Sequence, residues 1–411
     1  MSALMSKDVL RPGPTGLKAW AQHGILAAMP FAFSVLRRVK PVLKIGDFTL
    51  TSRYDHVREV FATDTAFGVG YKPKLDVIMG GEPFFLGMGD TDRYRRDTEA
   101  MAKVMLATDL PRLAQDVEAR ATAIVAAANG RIEVVDQLVR RTTFDYLSDY
   151  LGAPSPANGD LRVWATRLFE FQFADPGADP NLRAEVDEIA PALRAHIDAV
   201  IAARRTAPAK DDVLGRCLLR QGAGEPGFSD TEIRTALVGF IVGGPPQPPM
   251  VVPQAMEQLL RRPQALAGAQ AAARADDDDA LRGYVIEAMR FDPLAPGLPR
   301  VALKDVTLGC GAPGAADIKA GSHVLAAFAS AMMDPRRVAD PRQFNPKRPP
   351  TDYMHFGYGL HECFGRHVNR ATLHLMLKPL LKRNRMRRAP GRDGRLVKNG
   401  AFAERLVVLF D

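Results

Sequence analysis

Cys363 stands in a glycine-rich run whose composition suits a cysteine that binds a metal. The run reads FGYGLHECFG over residues 356–365, and an apolar periodic segment begins directly after it. The unpaired N–H groups and the dipole of a helix start favour negative charge, so a cysteine there is readily kept as a thiolate. Gly357 and Gly359 allow backbone N–H groups to approach the sulfur, and Gly365 lets the first helical turn lie against something flat.

Two other interpretations of this loop have to be weighed against a single thiolate ligand. A buried structural cysteine is common, because cysteine is among the residues most often found inside proteins. A zinc site is the second, because His355, His361 and Cys363 lie close together in the sequence. Zinc sites usually combine two closely spaced pairs of ligands, whereas Cys217 and Cys310 are isolated single cysteines. The pattern therefore favours a single thiolate ligand.

Residues 356–365 match the pattern Phe-Gly-x-Gly-x-His-x-Cys-x-Gly at every specified position. This run resembles the cysteine-ligand loop of the cytochrome P-450 superfamily, in its bacterial soluble type. The resemblance implies a heme-thiolate oxidoreductase that binds heme b, with Cys363 as the ligand to iron. It also assigns Phe356, Gly357, Gly359 and Gly365 to the loop that holds the heme.

Three further side chains match superfamily positions that bind the carboxylates of the heme. Arg95 is the arginine of a His-x-x-x-Arg pattern in which Thr91 replaces the histidine. Arg300 matches the arginine at the entry to the sheet, and His361 lies two residues before the cysteine. The resemblance implies that all three bind the heme carboxylates. For Arg95, a basic and solvated helix face is the alternative.

Glu287 and Arg290 match the Glu-x-x-Arg pattern of the superfamily, about seventy residues before Cys363. Their one-turn spacing places both side chains on the same helix face, where they can pair. The resemblance implies a buried ion pair that holds the heme-binding core together.

The predicted long helix over residues 232–260 contains a proline-rich stretch that reads GGPPQPP over 243–249. Each proline costs about 3 kcal/mol inside a regular helix, so we expect the hydrogen-bond ladder to open there. By resemblance this helix crosses the distal face of the heme and carries an acid–threonine pair. Aligned on Gly244, those two positions hold Pro246 and Gln247.

The missing acid–threonine pair leaves three functions open. Activating molecular oxygen needs protons from a positioned donor, which neither proline nor a neutral amide supplies. The first hypothesis is a peroxygenase or a lipid-hydroperoxide rearranging enzyme, with Gln247 as hydrogen-bond donor beside Gly244 and Pro246. The second is a ferredoxin-dependent monooxygenase that inserts one oxygen atom from O2, with protons delivered by water or by a group displaced by the prolines. The third is a non-catalytic heme sensor.

The elements that must position these residues are mainly α with a small β region, an α+β pattern. The region 110–219 is helical almost throughout, with breaks near 154–160 and 175–180. Shorter predicted elements are a hairpin at 42–50, a helix at 54–61, and strands at 301–303 and 323–328. The resemblance implies the cytochrome P-450 fold, a triangular helix-rich single domain over 1–411 with β-rich parts at about 40–60 and 295–330.

Composition limits the partners and the compartment. The 411 residues include 55 basic and 47 acidic side chains, a net charge of +8. That excess is too small to indicate nucleic-acid binding, and no basic stripe with interleaved aromatic residues accompanies it. Three cysteines make no disulfide framework and a thiolate ligand needs a reducing environment, so we expect a cytoplasmic protein.

The remaining expectations concern surfaces and substrate. The apolar segment 25–36 is interrupted by Pro30 and is too short to span a bilayer, so no transmembrane segment is predicted there. We expect it to pack on the core rather than to contact a membrane surface.

The substrate is expected to be an apolar small molecule. A basic cluster near the end of the chain either docks an acidic ferredoxin or forms a solvated helix end; it comprises Lys382, Arg383, Arg385, Arg387 and Arg388.

Overall fold

A computed structural model describes residues 2–13, 16–311 and 314–411. These residues form a helix-rich structure, 55% helical, with a small sheet region. The predicted mainly α class with a small β region is therefore confirmed. The chain divides into two compact units, Met1–Arg11 with Tyr71–Pro249 and Pro12–Gly70 with Met250–Asp411. That the two units form a single domain stays a prediction.

The helices of the described residues follow one another in chain order. They are α1 Gly16–Val39, α2 Tyr54–Ala62, α3 Lys72–Met79, α4 Asp92–Ala102, α5 Leu110–Ala126, α6 Arg141–Leu151, α7 Leu161–Phe169, α8 Pro180–Thr206, α9 Val213–Gly222, α10 Asp230–Gly243, α11 Pro248–Leu260, α12 Pro263–Arg274, α13 Asp278–Phe291, α14 Phe328–Ala331 and α15 Arg366–Leu381. Short 3-10 or π-helical segments include Phe85–Gly87, Val134–Arg140, Glu170–Ala174 and Gly359–His361. No helix in this part of the chain has the length and apolar character needed to cross a membrane.

The strands are short and lie mostly in the second unit. They are β1 Val42–Ile45, β2 Phe48–Thr51, β3 Phe67–Val69, β4 Arg131–Glu133, β5 Leu298–Ala302, β6 Val306–Leu308, β7 Ala316–Ile318, β8 His323–Ala326, β9 Arg387–Arg388, β10 Val397–Asn399, β11 Phe402–Arg405 and β12 Val407–Leu409. The predicted hairpin at 42–50 and the predicted strands near 301 and 323 are confirmed.

The first unit is built around α8, which packs against α3, α7 and α10. Its inward face repeats at helical spacing, and Val186, Ile189, Leu193 and Ile197 on that face are completely buried. Burial of each such side chain contributes roughly 1.5–3 kcal/mol. This packing fixes α10, whose end carries the proline-rich stretch.

The second unit combines a five-stranded sheet with a helical group. The sheet has the order β1-β2-β8-β5-β3, and only β2 and β8 run parallel among its pairs. Helix α2 packs on the sheet through Val57, Val60 and Phe61, which are almost fully buried. Helices α12, α13 and α15 pack on one another. The loop that carries Cys363 therefore enters α15 within a fixed helical group.

Candidate active site

The cysteine loop closes on itself immediately before α15. The backbone N–H of Cys363 donates to the carbonyl oxygen of Phe356 at 2.8 Å. Gly357 has φ +74° and Gly359 has φ +76°, a left-handed conformation that favours glycine. A Cβ at Gly359 would lie 2.5 Å from the carbonyl oxygen of Phe61, so the loop rests with bare backbone against the end of α2. The sequence interpretation of these two glycines as loop-forming residues agrees with this geometry.

The surroundings of the sulfur are more open than those of Gly359. A Cβ at Gly365 would have as its nearest neighbours the Sγ of Cys363 and the side chain of Asn369, both at 3.8 Å, an ordinary contact distance. Protein packing therefore does not require glycine at this position. A group that lies flat against the loop would require it.

Electrostatics at Cys363 differ from the sequence-based expectation. Burial raises the pKa of the Cys363 thiol, although the Gly365 N–H and the charge of Arg366 act in the opposite direction. The helix start alone therefore does not keep the sulfur ionised. A bound metal cation deprotonates a coordinating thiol outright. A thiolate at this position would therefore depend on a bound metal cation.

Arg300 and His361 lie together beside the cysteine loop. Arg300 is only 3% exposed, donates from Nη1 to the carbonyl oxygen of Pro299 at 3.0 Å, and lies over the ring of Phe61 at 5.0 Å. Burial lowers the pKa of His361 to about 4, and the charge of Arg300 adds to this shift. A buried guanidinium and a neutral imidazole here form a corner that can donate hydrogen bonds to a carboxylate.

Arg95 belongs to the first unit, whereas Arg300, His361 and Cys363 belong to the second. The Arg95 side chain is 59% exposed and pairs with Asp90 and Asp92, each at 2.9 Å. Thr91, which replaces the expected histidine, is the N-cap of α4 and accepts from the backbone N–H of Tyr94. The assignment of Arg95 to a heme carboxylate stays a prediction.

Glu287 and Arg290 form the expected pair on α13. Arg290 donates from Nη2 and Nε to the two carboxylate oxygens of Glu287 at 2.7 and 2.9 Å, and both side chains are completely buried. The other nitrogen of Arg290 donates to the carbonyl oxygens of Met332 and Pro341. The pair therefore ties α13 to the segment that leads toward the cysteine loop.

Arg348 is a partner of this pair that sequence reasoning missed. Its Nε donates to Glu287 at 3.1 Å, and its other nitrogens donate to the carbonyl oxygens of Ala339, Asp340 and Gln343. Its position between prolines shortly before the cysteine loop was the available signal. Since Arg348 lies 61 positions from Glu287, no local spacing rule connects the two residues.

Two side chains extend the network to the start of the loop. The Tyr353 hydroxyl donates to Glu287 at 3.1 Å, and His355 donates from Nε2 to the carbonyl oxygen of Ile286 at 3.0 Å. His355 is therefore occupied structurally. The zinc interpretation also lacks support, because no group of three metal-binding side chains forms anywhere in the described ranges.

The proline-rich stretch interrupts the helix as expected. Helix α10 ends at Gly243 and α11 begins at Pro248. Pro248 and Pro249 occupy the first turn of α11, where the missing N–H would have had no partner in any case. The predicted opening of the hydrogen-bond ladder is confirmed, and these two prolines avoid the cost of a helix-interior position.

Gln247 closes the break. Its side-chain Nε2 donates to the carbonyl oxygen of Gly243, and its backbone N–H donates to that of Gly244 at 3.2 Å. A Cβ at Gly244 would approach the carbonyl oxygen of Phe240 to 2.7 Å, which requires glycine there. Pro246 is buried in the turn. Gly244 and Pro246 therefore shape the break, and Gln247 contributes its functional group.

The break is also devoid of groups that could carry a proton. No Asp, Glu, His, Cys, Tyr, Lys or Arg occurs from residue 236 to residue 256. An amide at neutral pH donates hydrogen bonds without releasing a proton. Side chains of this stretch consequently offer hydrogen bonds but no acid.

Aromatic rings cover the end of α10 within the first unit. The ring of Phe84 lies directly over Gly239, where a Cβ would be 2.4 Å from the ring. Phe84 and Phe85 are 4.5 Å apart, and each lies 6.1 Å from Phe240. The surroundings of this helix end are therefore apolar.

The basic cluster near the chain end is largely neutralised. Arg388 donates to the buried carboxylate of Glu257 at 2.6 and 3.0 Å. Lys382 pairs with Asp276, and Arg385 and Arg387 pair with Asp411. The cluster therefore presents less positive charge to a partner than its composition indicates.

Comparison with known proteins agrees with this architecture. Residues 178–404 match the family model for cytochrome P450. The cytochrome P450 monooxygenase PikC of Streptomyces venezuelae is 26% identical over 338 residues, which cover 80% of this chain and 76% of PikC. A bifunctional dioxygenase–epoxy alcohol synthase of Pyricularia oryzae is 31% identical over 204 residues, which cover 46% of this chain and 17% of that protein.

A solved structure shows the same fold. The ligand-free structure of cytochrome P450 TbtJ1 has a TM-score of 0.78 and 23% identity, with 94% of this chain and 98% of the other covered. Because the family model spans more than half of the residues and the fold agrees, the chain belongs to the cytochrome P450 family, whose members are heme-thiolate oxidoreductases.

Proposed function

We propose that the chain binds heme b through Cys363 and oxidises an apolar small molecule with an O–O bond supplied as peroxide or lipid hydroperoxide. One observation carries the oxygen source: the helix break at 243–249 lies in a stretch without any titratable side chain. A reaction that begins with an intact O–O bond does not depend on an acid delivered by that stretch. A reducing compartment such as the cytoplasm completes the proposal, because the thiolate must not be oxidised.

Three features of the second unit fit a heme. At Gly365 the protein comes no closer than ordinary contact distance, the Sγ of Cys363 lies at that same distance, and Arg300 and His361 can together donate hydrogen bonds to the heme carboxylates. When bound, the heme supplies an iron that receives electron density from the thiolate, which favours O–O cleavage.

Gln247 is the side chain proposed to act on the O–O bond. A primary amide has two N–H groups, and the bond to Gly243 uses one of them. The second donates a hydrogen bond to a peroxide oxygen. Rearrangement of a hydroperoxide keeps all atoms in one molecule, and oxygen transfer from hydrogen peroxide yields the hydroxylated product and water. Neither reaction consumes external electrons.

The apolar surroundings of α10 support the substrate class. Phe84 and Phe85 are buried against Phe240, which is half-buried, and contact with such an aromatic group would lower the free energy of an apolar substrate that leaves water. The similarity to a protein named for epoxy alcohol synthase activity also supports hydroperoxide chemistry, although that similarity covers less than half of this chain.

A ferredoxin-dependent monooxygenase is the second candidate. The similarity to the monooxygenase PikC covers most of this chain, which favours this function. Water held at the open helix turn would then deliver the protons that side chains of the break do not. An electron donor such as a ferredoxin would be the partner.

A comparison of oxygen sources tests the proposal. The heme-loaded protein receives a fatty-acid hydroperoxide or hydrogen peroxide in one series, and NADPH with a competent ferredoxin and reductase in the other. We expect rapid turnover only in the peroxide series. Rapid electron-driven turnover without peroxide activity would establish the monooxygenase function instead.

A double substitution sharpens the same comparison. Pro246→Glu with Gln247→Thr restores the acid–threonine pair of the superfamily at these positions. Electron-driven oxidation is expected to rise and peroxide turnover to fall. Pro246→Ala is the matched control, because it changes the turn without adding an acid, and it is expected to leave the ratio of the two activities unchanged.

A further inference from the structure

Helix α1 is attached to the second unit by one face. Phe33 is 7% exposed, and Arg37 on the next turn donates from Nη1 to the carbonyl oxygen and the hydroxyl of Ser330 at 3.1 and 2.8 Å. Residues at i and i+4 share a helix face, so this pair marks the side of α1 that packs on α14. The expectation that the segment 25–36 packs on the core holds for this face.

The opposite face of α1 is apolar and exposed, which corrects the sequence-based expectation. Its exposed fractions are 66% for Ile25, 74% for Phe31, 42% for Val35 and 78% for Val39. At 100° per residue, Phe31 and Val35 lie about 160° around the helix from Phe33 and Val39 lies about 120° from it, whereas Ile25 lies about 80° from Phe33 at the edge of this face. Of the ten large hydrophobic side chains exposed in the described part of the chain, six lie between Ile25 and Phe48. Such a concentration marks a surface that contacts something apolar.

The segment that carries this face is basic in sequence. Residues 16–46 include five Lys or Arg and no Asp or Glu, although the whole chain has nearly as many acidic as basic residues. One of the five, Arg37, is buried on the packed side of the helix. Arg38 and Lys40 are exposed at the end of α1. A second copy of the chain would bring these positive charges against one another. An anionic surface would attract them.

We propose that α1 lies on an anionic lipid surface, with Ile25, Phe31, Val35 and Val39 inserted at the boundary of head groups and acyl chains. Helices with one apolar face and flanking basic residues bind membranes in this orientation. Arg38 and Lys40 contact the phosphate groups. The helix lies on the membrane without crossing it, and this inference is independent of the oxygen source.

Vesicle flotation of the heme-loaded full chain tests the inference. Vesicles of phosphatidylcholine with phosphatidylglycerol are compared with vesicles of phosphatidylcholine alone. Binding of the wild type is expected only to the anionic vesicles.

Each basic side chain near an anionic surface strengthens binding about fivefold, so Arg38→Gln with Lys40→Gln is expected to weaken binding roughly 25-fold. The combined variant Ile25→Ser, Phe31→Ser, Val35→Ser and Val39→Ser is expected to abolish flotation. Leu219→Ser with Leu303→Ser is the matched control, because both leucines are exposed elsewhere, and it is expected to bind as the wild type does.

Several results would overturn the inference. One is a wild-type chain that stays with the protein fraction on both vesicle types, and another is flotation that survives the four serine substitutions. Equal binding to neutral and anionic vesicles would refute the role of the bases. A wild-type dimer that becomes monomeric in the serine variant, without vesicle binding, would assign the face to a second copy. All variants change exposed residues, and an unchanged heme spectrum verifies that they fold.

Discussion

The cysteine loop and the helix break are held in place by different means. Several independent contacts fix the loop: Tyr353 to Glu287, His355 to Ile286, and bare backbone of Gly359 against α2. The break at 243–249 is fixed mainly by what prolines cannot do in a helix, with the side chain of Gln247 closing it. One region is held by several side-chain and backbone contacts from other elements, whereas in the other a single side-chain hydrogen bond closes a turn made by prolines.

This difference bears on what each region tolerates. Many residues of the cysteine loop take part in its contacts, so few substitutions there would leave all of the contacts intact. The break can change its functional groups as long as the turn stays closed. The choice of oxygen source is therefore expected to reside in the break, while the iron ligand resides in the loop.

The largest effect is expected from Cys363→Ser. Loss of the thiolate ligand should abolish turnover with every oxygen source and remove the reduced carbon-monoxide spectrum typical of thiolate ligation. Cys310→Ser is the control, since Cys310 is exposed and lies outside the loop. An unchanged spectrum in Cys363→Ser would show that the loop does not supply the metal ligand. The comparison of the two regions would then no longer apply.

Glu287→Gln probes the supports of the loop. Removing one charge from a buried ion network leaves its arginine partners uncompensated, and the expected loss of unfolding free energy is about 3–5 kcal/mol. Urea denaturation measures this loss. Asp55→Asn removes the partner of Arg337 in a pair whose side chains are each 57% exposed, and it should cost under about 1 kcal/mol. Similar losses in both variants would show that the buried network is not a main support.

The sequence predicts the parts of this site that depend on neighbours in the chain. The glycines and Cys363, the one-turn spacing of Glu287 and Arg290, and the interruption by prolines are all local patterns. Arg348 was missed because its link to Glu287 is set by the path of the chain and not by spacing. The bond that closes the break was missed for a similar reason, since an amide's partner depends on the turn geometry.

The exposure of individual side chains is the second property that could not be predicted from the sequence. The apolar character of α1 is evident from its composition, but which face packs depends on where Arg37 reaches Ser330. In the same way, the thiol of Cys363 has a raised pKa because burial outweighs the helix start, and burial is a property of the folded chain.

Acid sensitivity offers a further contrast between the two regions. His374 on α15 is 2% exposed, and neither of its ring nitrogens has a hydrogen-bond partner among the described residues. Burial lowers the pKa of His374 to about 4, with Arg282 adding to the shift, while Asp278, Asp279 and Lys378 also face the ring. The neutral ring is favoured by the fold, so its stabilising effect is present above about pH 6.5 and is lost as the pH falls toward 4.

His374→Leu is therefore expected to flatten the dependence of unfolding free energy on pH between 6.5 and 4, by up to about 3 kcal/mol. Urea denaturation at a series of pH values measures the slope. His323→Leu is the control because His323 is exposed, and this variant should keep the wild-type slope of unfolding free energy against pH. Parallel curves of unfolding free energy against pH for wild type and His374→Leu would show that another group causes the acid sensitivity. The helix break cannot be its source, because residues 236–256 do not titrate.

Among the substitutions within the candidate site, the smallest expected change in stability concerns Gln247, and it tests the break most directly. Gln247→Met keeps the side-chain length but leaves the carbonyl of Gly243 without its amide donor, at a cost of about 1 kcal/mol. If the same amide also binds the peroxide oxygen, hydroperoxide turnover falls about tenfold, the rate equivalent of one lost hydrogen bond.

Gln254→Met separates these two roles. Gln254 donates from Nε2 to the carbonyl oxygens of Asp292 and Pro293 at 3.2 and 3.3 Å, so its loss also removes an amide donor from backbone carbonyls. It should lower stability about as much as Gln247→Met while leaving hydroperoxide turnover unchanged. Equal turnover in Gln247→Met and Gln254→Met would show that Gln247 only caps the end of α10 and does not act on the peroxide. The break would then differ from the cysteine loop only in how few contacts hold it, and the oxygen source would have to be set by another part of the chain.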